Sequence, residues 1–262
     1  MPLVVSSQTR AFGSNMKKAS NSYISILSSL CLILLWYVGA LILNAPIILP
    51  TPYDVLKELM ELLSLCAATD LAYTILRALE SFLLIVSTGT LAGILAARYP
   101  IFNKIIKPLV TVFKATPVMS VILLAFIWLR TGAVPVFSAF LMAFPVMFVQ
   151  TMSGYSNIDP KLSQMCDIYA IKGKERLKHL IVPSVLPAII TGAKQTLSMI
   201  WKVVIAAEVL TLPKHGIGKQ LQLAQIQLET PKVFAWTIVA ILLTALGDAI
   251  FNLISKGVEH DY

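Results

Sequence analysis

Charge is what this sequence has least of. Asp, Glu, Lys and Arg make up 13% of its 262 residues, about half of the ~25% usual for a soluble domain. With 57% hydrophobic residues and a mean hydropathy of +0.81, the chain cannot cover a core with polar surface and reads as an integral membrane protein. Its three cysteines, Cys31, Cys66 and Cys166, are too widely spaced for a metal site or a disulfide framework. The three histidines, His179, His215 and His260, are equally scattered. No phosphate-binding G-x-x-x-x-G-K-[S/T] loop, H-E-x-x-H or G-x-S-x-G motif occurs. Gly216-x-Gly218-Lys219 is only a fragment of the first. Catalysis within this chain is not expected, and neither is a metal.

What remains is a series of long apolar runs. Residues 1–22 form a polar, basic tail, and 23–44 (Tyr23 to Leu43 at its core) a first membrane span. At about 20 residues this run is long for a signal-peptide core, and no small-residue cleavage site follows. Residues 45–69 are an external amphipathic segment. Pro46, Pro50 and Pro52 stop the first helix, and Thr51 or Asp54 can cap a new one to about Leu63. Residues 70–256 hold the remaining spans: Asp70–Arg98, Pro108–Leu129 with Pro117 inside, Val134–Gly154 with Pro145 inside, Ser184–Leu210, and Val233–Ile254. A short basic linker precedes Lys107, a polar connection runs from Pro213 to Pro231, and 257–262 are a short tail. The expected fold is all-α, with six transmembrane helices and a coupling helix between the fourth and fifth.

The basic residues segregate. Of 21 Lys and Arg, 13 fall on one side of this topology, five on the other, and three (Arg77, Lys194, Lys202) within spans. That bias puts both termini and the segment 159–183 in the cytoplasm of a plasma (inner) membrane protein. The net charge of +8 is therefore topogenic, and nucleic acid is not an expected partner.

Between the fourth and fifth spans lies Asp159–Gly192, a basic stretch flanked by apolar runs. Leu162, Met165 and Tyr169, with Ile168 beside them, recur at the spacing of one helix face. Gly173 offers a break, after which Leu177, Leu180 and Ile181 share a side, with Lys172, Lys174, Arg176 and Lys178 between them. Such a helical pair can lie at a membrane surface and show a face to a soluble partner.

The order of residues here resembles the coupling loop of ABC-importer permeases, whose pattern is E-A-A, three residues, G, nine residues, I-x-L-P. Gln164, Met165 and Cys166 stand at E-A-A, Ala170 at the Gly, and Leu180, Val182 and Pro183 at I, L and P. The Glu is absent, a Cys replaces the second Ala, and an Ala replaces the Gly. The stretch Leu49-Pro50-Thr51-Pro52-x-Asp54-Val55 resembles the nitrate/sulfonate/taurine-type branch of that family. So does Trp201…Val204-x-Ala206-Ala207-Glu208 leading to Gly216-x-Gly218. The resemblance covers about residues 49–257.

The resemblance implies a permease subunit that works as a homodimer, with an ATP-binding subunit and an extracytoplasmic substrate-binding protein. ATP and Mg would sit on the ATPase, with no cofactor bound by this chain. It places the ATPase contact at Gln164, Met165, Cys166, Tyr169, Ala170, Gly173, Leu180 and Pro183. Within the spans a charge costs about 2.5–3.5 kcal/mol on insertion scales and faces protein or water. Arg77, Glu80, Lys202 and Glu208, with Trp201 next to Lys202, are the candidates for the translocation path. Arg77 and Glu80, one turn apart, are able to pair, and Asp248 is a possible partner of Lys202 or Arg77. The implied cargo is a small solute: nitrate, a sulfonate, taurine or a vitamin precursor. A stand-alone ion-coupled carrier or channel is the alternative; it would show repeats or interrupted helices with buried acidic relays.

Overall fold

The computed structural model describes residues 27–64 and 67–260. The expected tail 1–22, the start of the first span at Tyr23, Cys66 and the last two residues lie outside them. Every regular element among the described residues is helical: α1 (Leu27–Leu43), α2 (Pro52–Ser64), α3 (Ala67–Arg98), α4 (Pro100–Ala115), α5 (Val118–Trp128), α6 (Val134–Ser156), α7 (Pro160–Ile168), α8 (Gly173–Arg176), α9 (Val182–Thr211), α10 (Ile217–Ile226) and α11 (Thr230–His260).

The chain is an all-α integral membrane protein. Four helices are long and apolar enough to cross a bilayer: α3, α6, α9 with the segment leading into it, and α11. α4 and α5 make a fifth crossing if taken as one span. α1 is apolar but has 17 described residues. Among the described residues, length and composition thus give four crossings, or five with α4 and α5 taken as one.

The expected third span, Pro108–Leu129, is corrected. α4 already begins at Pro100, so the linker before Lys107 is helical, and α4 and α5 meet at an angle of 104°. The break falls at Thr116 and Pro117. Thr116 is extended (ψ 127°), as the residue before a proline prefers, and Pro117 has no N–H to continue the ladder. Pro145 and Pro187 remain inside α6 and α9.

The core is the triple packing of α3, α6 and α9, with Ile85, Met147, Phe148, Ile200 and Val204 fully enclosed. Small residues let the backbones approach, as in other membrane helix pairs. A Cβ on Gly93 would lie 2.8 Å from the Phe148 carbonyl oxygen, and one on Gly89 2.8 Å from Met147.

The connection after α9 holds a further helix, α10, which packs on α9 and α11. α2 is capped as its sequence indicates: Thr51 Oγ1 donates to Asp54 Oδ2 (2.6 Å), and the Asp54 N–H donates back to Thr51 Oγ1 (3.2 Å). Its Leu59 packs on the cluster of Ile217, Trp236 and Val239 that joins α10 to α11. α1 is tied near its middle, where Trp36 stacks on Phe234 (5.6 Å) and donates to the Pro50 carbonyl (3.1 Å).

Candidate functional site: a coupling surface and a buried polar clasp

The segment between α6 and α9 is built to hold one short helix at the end of the bundle. Asp159 caps α7, accepting from the Lys161 N–H at 2.8 Å. Arg176 fastens the far side, donating to Asp167 Oδ1 and Ser163 Oγ at 2.5 Å each. Cys166 is buried beneath. Leu162, Met165, Ile168 and Tyr169 point away from the protein, Ile168 and Tyr169 being 81% and 73% exposed. A helix anchored on one face by a cap, an ion pair and a buried Cys, with large apolar groups on the other, presents a surface for a partner.

α7 ends through a left-handed residue at the position where the resembling pattern has Gly. Ala170 has φ +52°, and Gly173 follows with φ +59° and open space around it. The expected break at Gly173 is present, but it opens three residues earlier. The chain then re-enters the bundle through a π-helical turn, Leu177–Ile181, closed by the Val182 N–H on the Leu177 carbonyl. Pro183, at the second position of α9, explains the wide turn: its ring would crowd the carbonyl four residues back, at His179. Leu180 is buried, Pro183 half-buried and Gln164 exposed.

At the opposite end of the spans lies a buried polar clasp. The Arg77 guanidinium and the Glu208 carboxylate meet at 2.5 Å, and Arg77 also donates to the His215 carbonyl (2.7 Å). Glu208, fully enclosed, further accepts from Thr74 Oγ1 (2.9 Å) and the Gly218 N–H (3.0 Å). Thr74 in turn accepts from the Ile217 N–H (3.0 Å). Asp70 accepts from the Gly216 N–H and the Gln220 amide, both at 2.8 Å. His215 stacks on Tyr73, with ring centroids 5.0 Å apart.

Here lies the reason for Gly216-x-Gly218. A Cβ on Gly218 would meet the Ile205 carbonyl oxygen at 2.4 Å, and one on Gly216 the Glu208 carboxyl carbon at 2.6 Å. Gly216 also has φ +152°, which side chains disfavour. The two glycines turn their backbone N–H groups to carboxylates of the chain itself, Gly216 to Asp70 and Gly218 to Glu208.

Arg77 therefore pairs with Glu208 on another helix, not with Glu80 one turn away. Glu80 is exposed and lines a groove with Leu129, Gly132 and Phe137. Trp201 is buried, with Gly247 of α11 directly against its indole. Lys202 lines a cavity of about 490 Å³ between α9 and α11 with Thr237, Thr244 and Asp248. Asp248 accepts from Ser198 (2.9 Å) rather than pairing with Arg77 or Lys202. The roles of Asp70, Thr74 and Gln220 escaped the sequence reading; Asp70 at the head of a span was the one available signal. Among the described residues no group of three or more His, Cys, Asp or Glu could hold a metal ion.

The described fold is a set of packed membrane helices with a pinned helix projecting from one end. Residues 89–260 match the family described as binding-protein-dependent transport system inner membrane component. A probable ABC transporter permease protein of Brucella melitensis is 30% identical over 76% of this chain and 80% of its own length. The putative aliphatic sulfonates transport permease protein SsuC of Bacillus subtilis is 27% identical over 86% and 82%. The taurine transport system permease protein TauC of Escherichia coli is 24% identical over 80% and 79%. Among solved structures, an inward-facing form of the MetNI methionine ABC transporter shares the fold, with TM-score 0.51 and 15% identity over 78% of this chain and 98% of that one. The chain belongs to this family of inner membrane components and is a permease subunit of an ABC importer.

Proposed function

We propose that the chain forms the translocation path of an ATP-driven, binding-protein-dependent importer for a small anion of the sulfonate or taurine type. Two copies would pair, with an ATPase subunit docked on the α7 face and a substrate-binding protein at the end where α10 lies. Both chain termini would be cytoplasmic. The observation that carries this reading is the outward apolar face of α7, held rigidly between α6 and α9. A partner gripping Met165, Ile168 and Tyr169 would pull on two spans at once, which is what coupling requires. ATP and Mg would belong to that partner. Closure of the ATPase pair would turn the path outward, and hydrolysis would reset it.

The substrate class rests on the names of the relatives and on Lys202. Lys202 has no ion-pair or hydrogen-bond partner among the described residues, and an intramembrane cation of that kind is costly unless it meets water, protein or an anionic cargo. Lys202 and Glu80 border open space. Arg77, Glu208 and Trp201 are buried and would shape the path by holding its helices in place.

The test is purification of the tagged chain from its native membrane in mild detergent, with mass spectrometry of what accompanies it. An ATPase subunit present with the wild-type chain and lost on Tyr169→Ala supports the reading. A chain that comes out alone and still moves solute without ATP would instead establish the stand-alone carrier.

A further inference from the structure

Beside the α7 surface lies a cavity of about 680 Å³ whose charged lining is entirely cationic. Arg98, Lys172, Lys174 and Arg176 border it, with Tyr155 and Leu177 between them. Arg98 is the last residue of α3, a membrane-spanning helix, and Lys172 and Lys174 begin the segment that runs back into α9. The four charges therefore gather at one end of the bundle, the end where α6 leads into α7.

Three of the four, Arg98, Lys172 and Lys174, are not balanced by an acid among the described residues. All three acids of residues 159–181 are already engaged: Asp159 caps α7, Asp167 binds Arg176, and Glu175 faces His179 at 3.1 Å. Arg98 lies over the Tyr99 ring (5.7 Å) and has no carboxylate partner among the described residues. Lys172 and Lys174 have neither an ion pair nor a side-chain hydrogen bond among the described residues. Arg176, held by Asp167 and Ser163, is a fixed point around which the freer lysines can close. The walls are not uniformly polar: Leu177, half exposed, and Ile181 give the cavity an apolar side.

We propose that this cavity binds a phosphate group presented by an anionic phospholipid headgroup. The cationic rim takes the phosphate oxygens and Tyr155 offers a hydroxyl donor, while Leu177 and Ile181 lie along the start of an acyl chain. A basic pocket between spans at the membrane interface is the recurrent geometry for such recognition. A soluble phosphate would use the same cations but would gain nothing from the apolar wall. Because Arg176 also pins α7, an occupied cavity would steady the coupling helix, making lipid composition a control on coupling. The lipid site itself does not depend on the transport reading.

The experiment is native mass spectrometry of the protein purified in phosphatidylcholine nanodiscs, then titrated with phosphatidylglycerol, and separately with inorganic phosphate. Wild type should retain phosphatidylglycerol. Arg98→Gln, Lys172→Gln and Lys174→Gln should each weaken retention by about fivefold, the effect of one interfacial cation. Lys172→Arg should keep it, which guards against misfolding as the cause. Lys161→Gln removes a charge from the same segment outside the cavity and should change retention little. Equal losses in Lys161→Gln and the cavity variants would overturn the site in favour of diffuse attraction. Displacement of the lipid by low inorganic phosphate, or retention of phosphate with no lipid bound, would overturn the lipid as its source.

Discussion

The guanidinium of Arg77 and the carboxylate of Glu208 lie 2.5 Å apart, joining two helices through residues separated by 131 positions in the chain. Both are buried and both are more than singly hydrogen-bonded. A pair of this kind adds little net stability against an apolar substitute, but losing one partner strands the other.

Arg77→Met should therefore be severe, destabilising by about 3–5 kcal/mol. Thermal unfolding in detergent is the measurement, and the double variant Arg77→Met/Glu208→Gln should recover part of the loss. A double variant as unstable as the sum of the singles would remove the pair from the account.

Gly218→Ala places a methyl 2.4 Å from the Ile205 carbonyl oxygen and 2.5 Å from Glu208 Cβ, both on the backbone or stem of α9. Neither atom can swing aside, so α10 must shift and the clasp must open. Gly132→Ala, whose added methyl would meet nothing within 4 Å, should leave stability within the ordinary surface range, about 0.5 kcal/mol. Comparing the two variants in one thermal assay separates close packing from a general dislike of Ala for Gly.

Ala170 carries left-handed strain of about 1–2 kcal/mol. Ala170→Gly should relieve part of it and slow hydrogen exchange in the last turn of α7. Ala170→Asp puts a charge beside the proposed ATPase contact and should abolish ATP-coupled transport while the protein still inserts. Normal ATP-dependent uptake by that variant would move the docking surface elsewhere.

Ile168→Ser and Tyr169→Ala remove apolar groups that touch little of the chain itself. The expected outcome is loss of the ATPase subunit from the purified complex, with helix content by circular dichroism unchanged.

Lys202→Met should reduce uptake of an anionic substrate by about tenfold or more, the effect of losing a charge-assisted contact, and Lys202→Arg should restore most of it. Uptake in reconstituted vesicles is the readout. Equal uptake by Lys202→Met and wild type would take Lys202 out of the path.

Much of this was legible in the residues. Thr51 and Asp54 marked the start of α2 because a cap acts within one turn, and reciprocal bonds between them are what formed. Leu162, Met165, Ile168 and Tyr169 shared a face because helical spacing put them there, and that face turned outward. The glycines at 216 and 218 could be matched as a motif, but nothing local said what they wrapped around.

Apolar run length, proline position and the spread of basic residues together determined an all-helical membrane chain with a basic connecting segment. These are properties of short windows, read by the bilayer one helix at a time. The tertiary structure alone decided which proline broke a helix, Pro117 and not Pro145, and which acid took Arg77. Glu80 was the near neighbour along the helix, yet it faces a groove while Glu208 is brought in from α9. Burial selected the partner: in an enclosed site Arg77 must be neutralised by whatever packing places beside it, and packing is set by contacts far apart in the chain.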